Sequence, residues 1–191
     1  MGSNSSLMLQ RDEIAEIAKE TGFNSKQIKR LYNRFLSLDK DGLGFLTKQS
    51  LLRIPELNVN PLRDRIVDVI LDDHGQDGNI NFKQFALLFS VFRRGHNESG
   101  TSSKENKLKF LFSIYDRDKD GKINKSELLA VLNMLIGYNL PEEQMNSMAE
   151  RTIAEVVAEM EPGSSEITFK MFIDTLQKID VEEKMSMKFL T

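Results

Sequence analysis

The stretch DRDKDGKINKSE, Asp116–Glu127, decides the fold. Carboxylates stand at its first, third and fifth positions (Asp116, Asp118, Asp120), and Glu127 closes it at the twelfth. Ca²⁺ is a hard cation that takes about six to eight oxygens. The three Asp residues offer carboxylates from alternate positions. Gly121 permits a sharp turn, Lys122 offers its backbone carbonyl, and Asn124 acts directly or through water. Glu127, on the first turn of the helix that follows, adds two oxygens. Every element of the pattern D-x-[DN]-x-[DN]-G-x5-E is present, the signature of an EF-hand calcium loop between two helices. The competing reading is a solvated acidic turn ahead of a helix. Four carboxylates this close repel one another unless a cation neutralises them, which favours the metal loop. Ile123 is expected to point inward and to pair with its counterpart in a neighbouring loop.

Working outward, the same outline recurs. Leu46, Ile80, Ile123 and Ile167 each stand between a polar or Gly-rich turn and an apolar helix, at intervals of 34, 43 and 44 residues. The expected fold class is therefore all-α, with four EF-hand helix-loop-helix units in two paired lobes. Residues 1–92 form the first pair, 93–106 a linker without apolar residues, and 107–191 the second pair with a tail. Ile28, Leu31, Tyr32, Phe35 and Leu38 mark one stripe of an amphipathic helix. Pro55 should end a helix near Ile54. Asn60-Pro61 reads as an N-cap with proline at the first helical position, and Pro141 with Glu142 and Glu143 as another helix start.

The other three loops have decayed. The first, Asp39–Ser50, keeps Asp39, Asp41 and Gly44 but has Leu43 fifth and Ser50 last. The second, Asp73–Gln84, keeps Asp73, Asp77 and Gly78 but has Gly75 third and Gln84 last. The fourth, Met160–Met171, has Met at both ends and Pro162 third. One Ca²⁺ site is the expected count, with weak binding in the first or second loop left open.

Composition excludes other chemistry. The chain has 191 residues with 40% hydrophobic side chains, enough for a substantial core. It has no Cys and only two His, so thiolate metal sites, disulfides and Cys nucleophiles are ruled out. A net charge of −3 gives no basic footprint for nucleic acid, and no nucleic-acid partner is expected. The acidic excess lies in residues 101–191, with 16 acidic against 12 basic side chains. His74 and His96 read as solvated. No catalytic constellation stands out, and no enzymatic role is expected.

The chain resembles the calcineurin B homologous proteins, EF-hand regulators related to the phosphatase regulator calcineurin B. The likeness rests on the start MGSNSS, on ETGFNSKQIKRLYNRFLSLDK, RIPELNVNPLRDRI and YDRDKDGKINKSELL, and on the tail VEEKMSMKFL. The resemblance implies a Ca²⁺-binding adaptor that clasps a juxtamembrane helix in the cytoplasmic tail of a sodium/proton exchanger. The alternative it implies is a regulatory subunit or inhibitor of a calcineurin-type phosphatase, with a calcineurin catalytic subunit as partner. The family works through its third and fourth loops, whereas this chain keeps ligands only in the third.

A partner helix needs an apolar groove. Leu111, Phe112 and Tyr115 before the metal loop, with Leu128, Leu132 and Leu135 after it, are the candidate groove residues. They belong to helices apolar on more than one face, which must each bury more than one face. The bland alternative is a well-filled core. The tail residues Met185, Met187, Phe189 and Leu190 would dock back on their own lobe or compete for the groove. Met1-Gly2-Ser3-Asn4-Ser5-Ser6 fits an N-myristoylation signal with Gly2 as acceptor. One acyl chain gives an affinity of only about 10⁴ M⁻¹ for a membrane, so a membrane-bound partner would complete the attachment. The expected location is cytoplasmic and peripheral at the plasma membrane, with a nuclear or endomembrane pool.

Overall fold

The computed structural model describes residues 9–93, 103–158 and 160–176. Gly2, His96, most of the expected linker and the tail residues Met185–Leu190 lie outside them. Helix α1 (Arg11–Thr21) precedes four helix-loop-helix units. The first is α2 (Ser25–Leu38), strand β1 (Phe45–Thr47) and α3 (Lys48–Leu51). The second is α4 (Arg63–His74), β2 (Asn79–Asn81) and α5 (Phe82–Val91). The third is α6 (Lys104–Tyr115), β3 (Lys122–Ile123) and α7 (Lys125–Ile136). The fourth is α8 (Glu142–Ala158), β4 (Ile167–Thr168) and α9 (Phe169–Leu176).

The repeated aliphatics organise the pairing. Antiparallel β1 and β2 place Leu46 opposite Ile80, and β3 and β4 place Ile123 opposite Ile167. Leu46 and Ile80 are wholly buried, and Ile123 and Ile167 nearly so. Such short strands have too few hydrogen bonds to stand alone, so these apolar pairs clamp the loops by burial. The α2 stripe behaves as its spacing predicts: Ile28, Leu31, Phe35 and Leu38 are buried and Tyr32 is half-buried. Capping boxes led by Asn start three helices. In each, an Asn side chain and the residue three places on exchange backbone hydrogen bonds: Asn24 with Gln27, Asn81 with Gln84, and Asn124 with Glu127.

Three boundaries differ from the sequence expectation. Helix α3 ends at Leu51, and Pro55 opens a short 3-10 turn, Pro55–Leu57. Helix α4 begins at Arg63 rather than at Pro61, because Asn60 Oδ1 accepts the Leu62 N–H at 2.8 Å and closes a turn first. Helix α6 starts at Lys104, inside the expected linker, with the Ser103 hydroxyl capping Asn106 N–H.

Helix α6 joins the two halves of the molecule. Successive helical residues turn by about 100°, so residues two apart face nearly opposite ways. Phe110 accordingly packs edge-on against Phe92 of the first pair, with centroids 5.1 Å apart. Phe112 packs against Phe169 and Phe172 of the second pair, at 5.3 and 5.4 Å. Ile114 falls with Phe110 in the first core. The apolar surround of α6 is therefore covered by two cores of its own chain.

Leu46→Ala removes a fully buried side chain at the strand pair and should lower unfolding free energy by about 3 kcal/mol. Val59→Ala, at an 89% exposed position, should change it by less than about 0.5 kcal/mol. Urea denaturation followed by circular dichroism measures both.

Candidate metal centre

The loop Asp116–Glu127 starts where α6 stops. Asp116 is the C-cap of α6, its N–H donating to Phe112 O at 2.9 Å. Gly121 then reverses the chain with φ +86°, a conformation that only Gly adopts without strain. Strand β3 follows, and Asn124 caps α7. One carboxylate oxygen from each of Asp116, Asp118 and Asp120 falls within 4.8 Å of the others. Among the described residues, no other group of three or more acidic or His side chains gathers in this way.

Carboxylate oxygens of these three residues also brace the loop. Asp116 Oδ2 accepts the Gly121 N–H at 3.0 Å. Asp118 Oδ1 accepts from Asp120 N–H at 3.2 Å, and Asp120 Oδ1 from Lys122 N–H at 2.8 Å. Asp116 Oδ1 is buried without a hydrogen-bond partner. Burial pushes the Asp116 carboxyl above the usual carboxylate range, and the charges of Glu127 and Asp120 push it the same way, against the Gly121 hydrogen bond. A buried lone-pair oxygen beside two further carboxylates is the donor set a hard divalent cation needs.

Glu127 is buried at the twelfth position, but it stands apart from the three Asp oxygens. Its Oε1 accepts the N–H groups of Arg117 at 2.7 Å and Asp118 at 3.3 Å, and its Oε2 accepts Asn124 N–H at 3.0 Å. The twelfth position therefore has a second duty, as the third residue of a capping box. Gln84 keeps that duty in the second loop, where its Oε1 accepts Asn81 N–H at 2.8 Å. A Glu-to-Gln change there retains the helix start while removing the charge. Asn124 Oδ1 accepts from Glu127 N–H and Ser126 Oγ, so capping occupies it. The Lys122 side chain reaches across to Glu166 at 2.9 Å and ties the third loop to the fourth.

The decayed loops are filled from within. In the first, both Asp39 oxygens accept backbone N–H groups, from Leu43 at 2.9 Å and Gly44 at 2.8 Å. In the second, a Cβ at Gly75 would lie 2.4 Å from Leu71 O, so this backbone admits no ligand-bearing side chain at the third position. The Lys119 ammonium, from the third loop, sits 2.8 Å from Asp73, the first residue of the second loop. His74 is half-buried rather than solvated, and that burial lowers its pKa from the ordinary value, Asp73 partly opposing.

The groove residues expected from sequence divide. Phe112 and Leu128 are buried in the second core, and Leu111, Tyr115 and Leu132 are half-buried against core side chains. Phe112 and Leu128 therefore belong to the core, and the other three keep part of their surface open. Leu135 is 47% exposed and stands near the end of α7 with exposed Met134. A strongly apolar cavity of about 490 Å³ lies elsewhere, in the first pair. Leu57, Ile66, Leu88 and Phe89 line it, and Phe110 of α6 contributes to its wall. The Phe-rich run of α5 was the available signal, but it reads equally as core.

Asp116→Asn keeps an acceptor for Gly121 N–H while removing a buried charge. Without added metal it should stabilise the chain by about 1 kcal/mol, the repulsion of two unit charges near 4 Å at water-like dielectric. Thermal unfolding in chelator at neutral pH measures this, and lower stability than wild type would contradict the repulsion argument.

A family description for an EF-hand domain pair matches residues 105–186. The calcineurin B subunit from Naegleria gruberi is 44% identical over 188 residues, covering 98% of this chain and 99% of that one. The type 1 calcineurin B subunit from Dictyostelium discoideum is 36% identical over 190 residues, 99% of each chain. The calcineurin B subunit from Candida glabrata is 34% identical over 176 residues, 92% of this chain and 94% of its own. These relatives favour the phosphatase-regulator reading and lend no support to the exchanger adaptor. The chain belongs to the calcineurin B-like family of EF-hand proteins.

Proposed function

We propose that this chain is a Ca²⁺-binding regulatory subunit that pairs with the catalytic subunit of a calcineurin-type protein phosphatase. The observation that carries the reading is the end-to-end likeness to calcineurin B subunits, 44% identical over 98% of this chain in the Naegleria gruberi case. The chain has no role in bond chemistry of its own. It holds one Ca²⁺ in the third loop, through Asp116, Asp118, Asp120, the Lys122 carbonyl and Glu127. Neutralising that cluster removes the repulsion within the loop. Glu127 joins the ion by giving up hydrogen bonds to loop amides, which couples metal uptake to the setting of α7.

The same helix that delivers Asp116 also carries Phe110, six residues earlier, into the apolar cavity of the first pair. A cation that fixes the end of α6 therefore fixes a wall of that cavity. An amphipathic helix of the catalytic subunit, laid apolar face down, fills it in the helix-in-groove mode. Arg34 and Glu56, ion-paired with each other, are the charged side chains in its lining. Gly2 is the proposed myristoyl acceptor, which would place the complex at a membrane surface.

Two outcomes are expected. Glu127→Gln should weaken Ca²⁺ binding by about two orders of magnitude, since ligand charge count sets EF-hand affinity; calorimetry of the full chain measures this. Leu57→Glu puts a charge at a half-buried position on the cavity wall without touching the metal loop. It should weaken binding to a recombinant calcineurin catalytic subunit at least about tenfold while leaving Ca²⁺ uptake unchanged. Wild-type affinity for that subunit in Leu57→Glu would move the docking site elsewhere, and no complex with the wild-type chain would overturn the reading.

A further inference from the structure

Arg65 is the third residue of α4, in the first EF-hand pair, and it is only 8% exposed. A buried guanidinium is costly unless its donors are satisfied. Here Nε and Nη2 find their acceptors in the other half of the molecule. Arg65 Nε donates to Ile114 O at 2.9 Å, and Nη2 donates to Asp116 O at 3.0 Å and to Ser113 O. Those carbonyls are at the C-terminal end of α6, where a helix leaves its last acceptors unpaired and carries partial negative charge. A single side chain 48 to 51 residues away in sequence thus caps the helix that enters the metal loop. One of its acceptors is the backbone oxygen of Asp116, the first residue of that loop.

A second tie runs the same way. Lys119, within the loop, pairs with Asp73 at 2.8 Å and Asp72 at 3.8 Å, both in the last turn of α4. These groups are substantially exposed, and such pairs contribute little to stability. Their geometry nevertheless lays α4 alongside the loop from its start to its fourth residue. The planar guanidinium of Arg65 is the part that cannot be replaced by charge alone, because it directs separate N–H groups at separate carbonyls.

We infer that Arg65 is a positioning residue for the third-loop metal site, a cap supplied by the first EF-hand pair that holds Asp116 in place. The inference rests on the reading of Asp116–Glu127 as a Ca²⁺ site. Two effects oppose each other. The positive charge of Arg65 disfavours a nearby cation, whereas its hydrogen bonds pre-set the ligand. Arg65→Lys separates them, since it keeps the charge and loses the fork.

The test is Ca²⁺ calorimetry on the full chain, with Ca²⁺ alone as the probe. Arg65→Lys is expected to bind about tenfold more weakly than wild type, the loss typical when a partner that orients a ligand is removed. Leu31→Ala, a core change in α2 far from the loop, serves as the control for lowered stability, and should leave the affinity at the wild-type value. Equal affinity in Arg65→Lys and wild type overturns the inference, as does an equal loss in both variants. If Arg65→Lys fails to fold, hydrogen exchange on the wild type decides. Slower exchange of the α4 amides on adding Ca²⁺ supports the coupling, and unchanged exchange overturns it. Ca²⁺ uptake by wild type with no effect of Arg65→Lys removes this inference alone. No uptake by wild type removes the metal reading itself, and this inference with it.

Discussion

Three carboxylate oxygens held within 4.8 Å of one another are the constraint on which the rest depends. They are held by the backbone of a tight loop rather than by choice of rotamer. Gly121 turns the chain, and amide donors hold one oxygen each of Asp116, Asp118 and Asp120. Asp116 Oδ1 is left buried and unpartnered. Such an arrangement raises the free energy of the chain until a cation enters, so folding stores a preference for a divalent ion at one place.

That preference matters because α6 belongs to two cores. Its alternate faces send Phe110 into the first pair and Phe112 into the second. A rigid element packed on both sides cannot tilt without disturbing both. The loop at its end is consequently wired to a cavity whose wall includes Phe110. The other three loops are braced by contacts of their own. Asp39 closes the first by accepting amides, the second uses Gly75 to let strand and helix approach, and Lys122–Glu166 clips the fourth to the third.

Much of this was legible in the amino-acid order because its rules are local. The spacing of the twelve-residue motif anticipates the gathering of Asp116, Asp118 and Asp120, and the recurrence of Leu46, Ile80, Ile123 and Ile167 marks the aliphatics that face each other in pairs. Local chemistry also misled at places where a competing local bond won. Asn60 closes a turn instead of capping α4 at Pro61, and Glu127 takes up capping amides in addition to its place in the ligand pattern. What was not legible is long-range. A helical Arg reads as a solvated face, and nothing near Arg65 in sequence reveals carbonyls about fifty residues on. An all-round apolar helix shows that several faces are buried, but not whether a partner or a second core of the same chain covers them. For α6 the cover is internal, with Phe110 in the first core and Phe112 in the second.

If metal and partner favour the same setting of α6, each raises the other's affinity by the same factor. The most direct measurement is a Ca²⁺ titration of the chain alone and of the chain saturated with a calcineurin catalytic subunit. The account expects one ion per chain in both, bound about tenfold more tightly in the complex. A titration showing no stoichiometric ion, or the same affinity with and without the catalytic subunit, would contradict it.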